Sequence, residues 1–303
     1  MKYITPAYYR DFKCIASACR HSCCIGWEVD IDADTLRAYE SMSDHYGERI
    51  RDSIDRYDEP HFRLSAGDRC PHLSECGLCN IITECGESAL CQICSDHPRY
   101  RGFYDGVTEI GLGLSCEEAT RLALEAEKSI GFLVSDSEDF RTAEHRAEYP
   151  TELFCEDDRF VAEEKARLLS LACNSYLSIN DRLVKLLPVT PRIEEVLALL
   201  LSLEILDANW KERIELLSAE DFDLDFAKDS NYLERTIAAF IFRHINCESF
   251  YSPATVAAFA ALSAMIVAAL SKSCEDFPDT LRAYSAEVEY STDNTEKILD
   301  FIE

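Results

Sequence analysis

The sequence predicts a mainly α protein: a cysteine-rich, metal-binding N-terminal region with little strand, then a helical, bundle-like C-terminal part. Three observations lead there. Eleven of the fifteen cysteines fall within the first 116 of 303 residues. Beyond residue 150 apolar residues recur at three- and four-residue intervals, as in Leu168, Leu169, Leu171, Ala172 and Tyr176, the period of a helix with one buried face. No glycine follows Gly131, which suits helices and leaves no glycine-rich phosphate loop in that half.

Taken in order, residues 1–133 form the cysteine-rich region, 134–150 an acidic linker without apolar period that ends in Pro150, and 151–303 a helical domain. In the first region we expect a helix over 33–57, short extended pieces at His61–Leu64 and Gly106–Leu114, and a helix starting after Cys116. The second part reads as helices over 158–187, 191–206, 231–246, 254–272, 278–288 and 294–302. The run 254–270 carries no charge. It is short for a bilayer and rich in alanine, while Ser252-Pro253 reads as an N-cap with proline at the first helical position. A buried core helix explains it better than a membrane span, so the protein is expected to be soluble and cytoplasmic. The formal charge of −27, acidic in both halves, opposes nucleic acid and anionic membranes and favours a basic, lysine-presenting partner.

The N-terminal cysteines come in groups: Cys14, Cys19, Cys23 and Cys24; Cys70, Cys76 and Cys79; Cys85, Cys91, Cys94 and Cys116. Thiolates three or four residues apart converge readily on one soft metal. A disulfide framework fits less well, because the number is odd, the N-terminus MKYITPAYYRDFKC is unlike a secretory signal, and a chain of this length needs no staples. Spacing alone leaves zinc and an iron–sulfur cluster equal, since no clean pair of CxxC motifs exists. His21, His72 and His97 neighbour these cysteines and are better read as hydrogen-bonding neighbours than as ligands. If Ser115 capped the following helix, Cys116 would lie in its positive N-terminal field. Cys155, Cys173, Cys247 and Cys274 read as small buried hydrophobes. There is no G-x-G-x-x-G, P-loop, H-E-x-x-H or G-x-S-x-G motif, and C-x3-C-x2-C fails because position 26 is glycine.

The run Tyr8-Tyr9-Arg10-Asp11-Phe12-Lys13-Cys14, Cys19 and Cys23-Cys24-Ile25-Gly26-Trp27 resembles the opening of the flagellin lysine-N-methylase (FliB-like) family. Cys70-Pro71-His72-Leu73, Cys79, Leu90-Cys91, Cys94, Pro98-Arg99 and Leu114-Ser115-Cys116-Glu117-Glu118-Ala119 follow in that family's order. Ala283-Tyr284-Ser285, Glu289-Tyr290-Ser291 and Asn294 are similar to its tail, so the resemblance spans nearly the whole chain. It implies methyl transfer from S-adenosylmethionine to surface lysines of flagellin, with a [4Fe–4S] cluster in place of the alternative zinc. The metal-binding residues it implies are Cys14, Cys19, Cys23, Cys24, Cys70, Cys79, Cys91, Cys94 and Cys116, more than one cluster requires. Cys76 and Cys85 are additional to the family pattern. An open iron could hold the amino and carboxylate groups of S-adenosylmethionine. Two other functions compete: a non-catalytic metal- or flagellin-binding module, and an iron–sulfur electron-transfer protein. The catalytic base and the S-adenosylmethionine site are not identified by these motifs.

Overall fold

The computed structural model describes residues 1–57, 59–126, 130–222, 231–271 and 276–303. The chain opens with β1 (Lys2–Pro6) and a 3-10 turn at Ala7–Asp11. The elements α1 (Ala33–Ser41), α2 (His45–Asp52), β2 (Ile54–Asp55), β3 (His61–Phe62), α3 (Asn80–Cys85) and α4 (Gln92–Asp96) follow. Next come β4 (Arg99–Tyr104), β5 (Val107–Leu112), α5 (Glu117–Glu125), β6 (Phe132–Ser135) and β7 (Glu144–Arg146). The remainder is helical: α6 (Glu156–Ala172), α7 (Ile179–Leu186), α8 (Ile193–Ser202), α9 (Ala208–Glu215), α10 (Tyr232–His244), α11 (Pro253–Leu270), α12 (Phe277–Tyr284) and α13 (Thr292–Ile302).

Two compact units result: Lys13–Arg99, and Met1–Phe12 together with Tyr100–Glu303. The mainly α class with little strand is corrected by the second of these. It contains a five-stranded mixed sheet in the order β4-β5-β1-β6-β7, and a separate two-stranded sheet pairs β2 with β3. β1 runs parallel to β5, with Ile4 opposite Glu109, and antiparallel to β6, with Ile4 opposite Val134. The stretch 134–150, expected as a linker, contributes the end of β6 and all of β7 to this sheet. Short apolar runs such as Phe132-Leu133-Val134 lack the length for a helix and are buried in the sheet, which is why periodicity did not reveal them.

The helical reading of the second half fits, with breaks where caps intervene. The expected helix 158–187 is divided into α6 and α7, because Ser178 accepts from Asp181 N and starts a new helix. Similarly, 33–57 separates into α1, capped by Asp32, and α2, capped by Asp44. α11 is capped by Ser252, with Pro253 in its first turn. It is the one described helix long and apolar enough to cross a membrane, and 78% of that window is buried inside the fold. It packs against α10, α12 and α13 and forms the centre of the helical core. Lys272 and Cys274 lie outside the described residues.

Candidate functional site

In the unit Lys13–Arg99, backbone pairing gathers thiols from all three cysteine groups. Cys70 N donates to Cys24 O (2.8 Å), joining the first group to the second. Gly26 N donates to Asp68 O (2.9 Å), and Gly26 makes that turn with φ +92°, a conformation that favours glycine. Leu73 pairs with Cys79 across a β-bridge. Asp32 ties in the third group, since its carboxylate caps α1 through Thr35 N (2.9 Å) and also accepts from Gln92 N (2.8 Å), beside Cys91. Cys70 and Cys91 are buried, with Cys24, Cys79 and Cys94 packed against the same apolar cluster as Val29, Ile31, Tyr39 and Phe62.

These five thiols feel one another's charge. Burial, with the charges of Cys24, Cys79 and Cys91 adding to it, pushes the Cys70 thiol up to about 12. A hydrogen bond with Cys91, then burial, raises the Cys94 thiol, with Cys91, Cys24 and Cys70 adding to the shift. Cys24 is pulled down to about 7, first by a hydrogen bond from Cys23. Several thiolates in so apolar a place repel one another, so more than one can ionise only beside a cation. The donor chemistry therefore fits a thiolate-bound metal or cluster. The thiols are gathered but not closed into a shell: among the described residues no three or more His, Cys, Asp or Glu side chains are arranged to hold a metal ion. All described cysteines are free.

His72 is not placed as a ligand, because Ser53 Oγ (2.9 Å) and the Tyr46 hydroxyl (3.1 Å) occupy both ring nitrogens. Burial, with Arg49 nearby, lowers it to about 4. His97 is likewise lowered to about 4, by burial and by Arg99. Cys14 is exposed and accepts from Ala16 N (3.4 Å), while Cys19 donates to His21 O (3.3 Å). Cys116 belongs to the other unit. It is itself the N-cap of α5, without a side-chain cap, and Ser115 Oγ is buried with no partner. Cys155 and Cys173 are half-buried, but Cys247, expected in a core, is exposed. It lies at a cavity of about 120 Å³ lined also by Ile245, Tyr251 and Val256.

The second unit holds a constellation that cysteine spacing could not suggest. At the end of β5 the chain runs Gly111-Leu112-Gly113 before turning into α5. A Cβ on Gly111 would fall on the Tyr100 ring, and one on Gly113 on the Tyr290 hydroxyl, 3.1 Å from Arg243 Nη1. The two glycines thus admit two tyrosines against the strand. Between those rings sits Arg243, its guanidinium carbon 4.9 Å from the Tyr100 centroid and 4.3 Å from that of Tyr290, a double cation–π contact. Arg243 Nη1 is 3.4 Å from Glu289 Oε1, and His244 Nε2 is 3.0 Å from the same oxygen. Ser285 Oγ donates to the other oxygen.

Glu289 ends a π-helical turn, Ser285–Glu289, in which Tyr290 N reaches back five residues to Ser285 O (2.9 Å). Such turns recur at functional sites. Burial alone would raise the Glu289 carboxyl, but Arg243 and the His244 and Ser285 hydrogen bonds outweigh it and hold the group below its ordinary value. Burial and then the Glu289 charge raise the Tyr8 phenol, and Tyr100 is raised by burial and by Tyr8. Tyr290 is 44% exposed and provides the route to solvent. Tyr8, Tyr100, Arg243, Glu289 and Tyr290, drawn from four separate stretches of sequence, form one partly open polar site. Phenols and a buried carboxylate there are able to hydrogen-bond an ammonium or amine group. The signals were the glycine pair at 111 and 113 and the tail around Glu289-Tyr290, neither of which names a role.

No family model matches the chain, and no solved structure matches it. Among curated proteins it is 34% identical over 130 residues to the lysine-N-methylases of Salmonella choleraesuis and Salmonella typhimurium, covering 40% of this chain and 32% of each of theirs. It is 35% identical over 130 residues to the flagellar biosynthetic protein FliU of Salmonella muenchen, covering 40% of this chain and 77% of that one. The match therefore spans about a third of the length of the two lysine-N-methylases.

Proposed function

The chain belongs to the FliB-like lysine-N-methylase family, and from that premise we propose that it methylates lysine side chains of flagellin, using S-adenosylmethionine, in the cytoplasm. The observation that carries this reading is the convergence of Tyr8, Tyr100, Arg243, Glu289 and Tyr290 beside the end of β5. The acidic chain, at −27, attracts a lysine-presenting surface.

In the reaction the ε-amine attacks the sulfonium methyl carbon. A carbon–nitrogen bond forms, the carbon–sulfur bond breaks, and S-adenosylhomocysteine leaves. The amine must first be neutral, and at pH 7 only about one free lysine in two thousand is. Glu289 stays ionised and draws the ammonium inward, while Arg243 limits how strongly that charge holds the proton. Tyr290, at the mouth, is placed to orient the incoming stem and relay the proton to solvent. Tyr8 and Tyr100, held protonated by burial and by Glu289, wall the site and exclude water. In the cysteine-rich unit Cys24, Cys70, Cys79, Cys91 and Cys94 would hold a [4Fe–4S] cluster or zinc, with Cys14, Cys19 and Cys23 as the remaining motif thiols of that unit. Such a group would supply the positive centre that lets neighbouring thiolates ionise together.

The test is anaerobically reconstituted protein incubated with S-adenosylmethionine and cognate flagellin, followed by mass spectrometry. Mass gains in steps of one methylene on flagellin lysines support the reading. Flagellin recovered unmodified, with the metal retained and the methyl donor bound, would overturn it.

A further inference from the structure

Among the described residues of the second unit, one charged side chain makes no hydrogen bond through any of its guanidinium nitrogens, although the charge of Glu234 acts on it. Arg235, one turn into α10, is 1% exposed, and its Nε, Nη1 and Nη2 are each buried without a hydrogen bond. The adjacent carboxylate is already engaged, because Glu234 Oε2 binds Arg182 Nη1 at 2.6 Å. A guanidinium presents five donors in a fixed fork and keeps its charge, so leaving it dry and unpaired is among the costliest arrangements a core can hold. Such a group in a native fold calls for an explanation, and a ligand that completes it is one.

Its position indicates which ligand. Arg235, Ala239 and Arg243 recur at four-residue intervals on α10, which sets the two arginines on one i, i+4 row of the helix about 12 Å apart along its axis. Arg243 is fixed in the tyrosine–Glu289 site. Tyr8 responds to the charge of Arg235 as well as to that of Glu289, so both charges act on the same buried phenol. The packing agrees: the 3-10 turn carrying Tyr8 lies against α5, and α5 against α10. The fork matches a planar, two-oxygen anion.

We infer that Arg235 is the anchor for a carboxylate, namely the α-carboxylate of the methyl donor S-adenosylmethionine, bound in the unit that holds Tyr8 and Glu289. This assignment rests on the methylation reading above and adds to it a place for the donor's amino-acid end. It sets the carboxylate on a protein cation and not on an iron of the cysteine-rich unit.

Calorimetric titration of the full chain with S-adenosylhomocysteine, and with 5′-methylthioadenosine, which lacks the amino-acid end, tests it. The unaltered protein should bind S-adenosylhomocysteine at least about tenfold more tightly, the worth of a charge-assisted pair. Arg235→Gln should remove that difference and leave 5′-methylthioadenosine binding unchanged, and Arg235→Lys should restore part of it. Equal affinities of Arg235→Gln and the unaltered protein for S-adenosylhomocysteine, or equal loss for both ligands, would overturn the assignment. Thermal melting guards against a folding artefact: Arg235→Met removes an unpaired buried charge, so the ligand-free variant should melt higher, whereas a structural arginine would make it melt lower. If neither adenosyl ligand binds the unaltered protein, the methyl-donor reading fails, and acetate decides the anchor separately. Acetate should raise the melting temperature of the unaltered protein but not of Arg235→Gln, with chloride at equal ionic strength as control. Equal responses to acetate would reject the anchor.

Discussion

Lys165 Nζ lies 2.5 Å from Glu109 Oε2, with the lysine side chain fully buried and the glutamate 3% exposed. The rest of the lysine's hydrogen-bonding capacity is used by Phe242 O (3.1 Å) and the Tyr104 hydroxyl (3.2 Å). The remaining carboxylate oxygen accepts from Tyr149 at 2.5 Å. The pair joins α6 to β5 and is satisfied on both sides, in contrast to Arg235. Removing one partner leaves the other charge buried and unpaired. We therefore expect Lys165→Met or Glu109→Gln to cost about 3–5 kcal/mol in urea denaturation, and the double change Lys165→Met with Glu109→Leu to cost much less. Additive losses would show that the two side chains act independently.

Acid should loosen the second unit before it reaches the ordinary carboxylate range. Burial lowers His244 despite the opposing pull of Glu289, with Arg243 and Lys165 also lowering it. A histidine whose folded value lies below its unfolded value near 6.5 takes up protons on unfolding, so stability falls as pH drops through that value. Glu289, held below its ordinary value chiefly by Arg243 against the effect of burial, adds a further loss below about pH 4.3. Stability against pH should slope downward on the acid side of 6.5, and His244→Gln should flatten the upper part of that slope. An unchanged slope in this variant would assign the acid sensitivity elsewhere.

Gly111 in β5 and Gly113 just beyond it should respond differently to alanine. Tyr100, on β4, is half-buried and has little room to yield, so Gly111→Ala should cost about 1–3 kcal/mol of stability. Tyr290 is 44% exposed, and its ring can swing into solvent. Gly113→Ala should leave the melting temperature nearly unchanged while separating Tyr290 from Arg243 and depressing methylation at least about tenfold. A Gly113→Ala protein with full activity would remove Tyr290 from the site.

Metal content separates the cysteines. Cys70→Ala, Cys91→Ala or Cys94→Ala should lose bound iron or zinc and destabilise the unit Lys13–Arg99, because ligand binding there is coupled to folding. Cys247→Ala, at an exposed position of the other unit, should keep it. Equal loss in both sets would dissolve the distinction between gathered and isolated thiols.

The sequence disclosed what depends on local chemistry. The cap at Ser252, the helix after Cys116 and the grouping of cysteines along the chain all follow from neighbours within a few residues. The extended pieces at His61–Leu64 and Gly106–Leu114 are β3 and β5, but the rest of the five-stranded sheet did not show itself, because β1 and β6 are short and their burial comes from strands more than a hundred residues distant. The same limit hid the tyrosine–Arg243–Glu289 site, whose members are single residues brought together by the sheet and by α10. Even Ser115, which reads as a helix cap, proved to be an unpartnered hydroxyl one position too early.

β1 is the middle strand of the five, held by β5 on one side and β6 on the other. During synthesis β1 would wait, unpaired, for partners beyond position 106, while the whole cysteine-rich segment emerges in the interval. Assembly of the sheet then becomes a late, long-range closure. Trimming residues 2–6 would divide the sheet into two halves, each with a raw edge open to other chains.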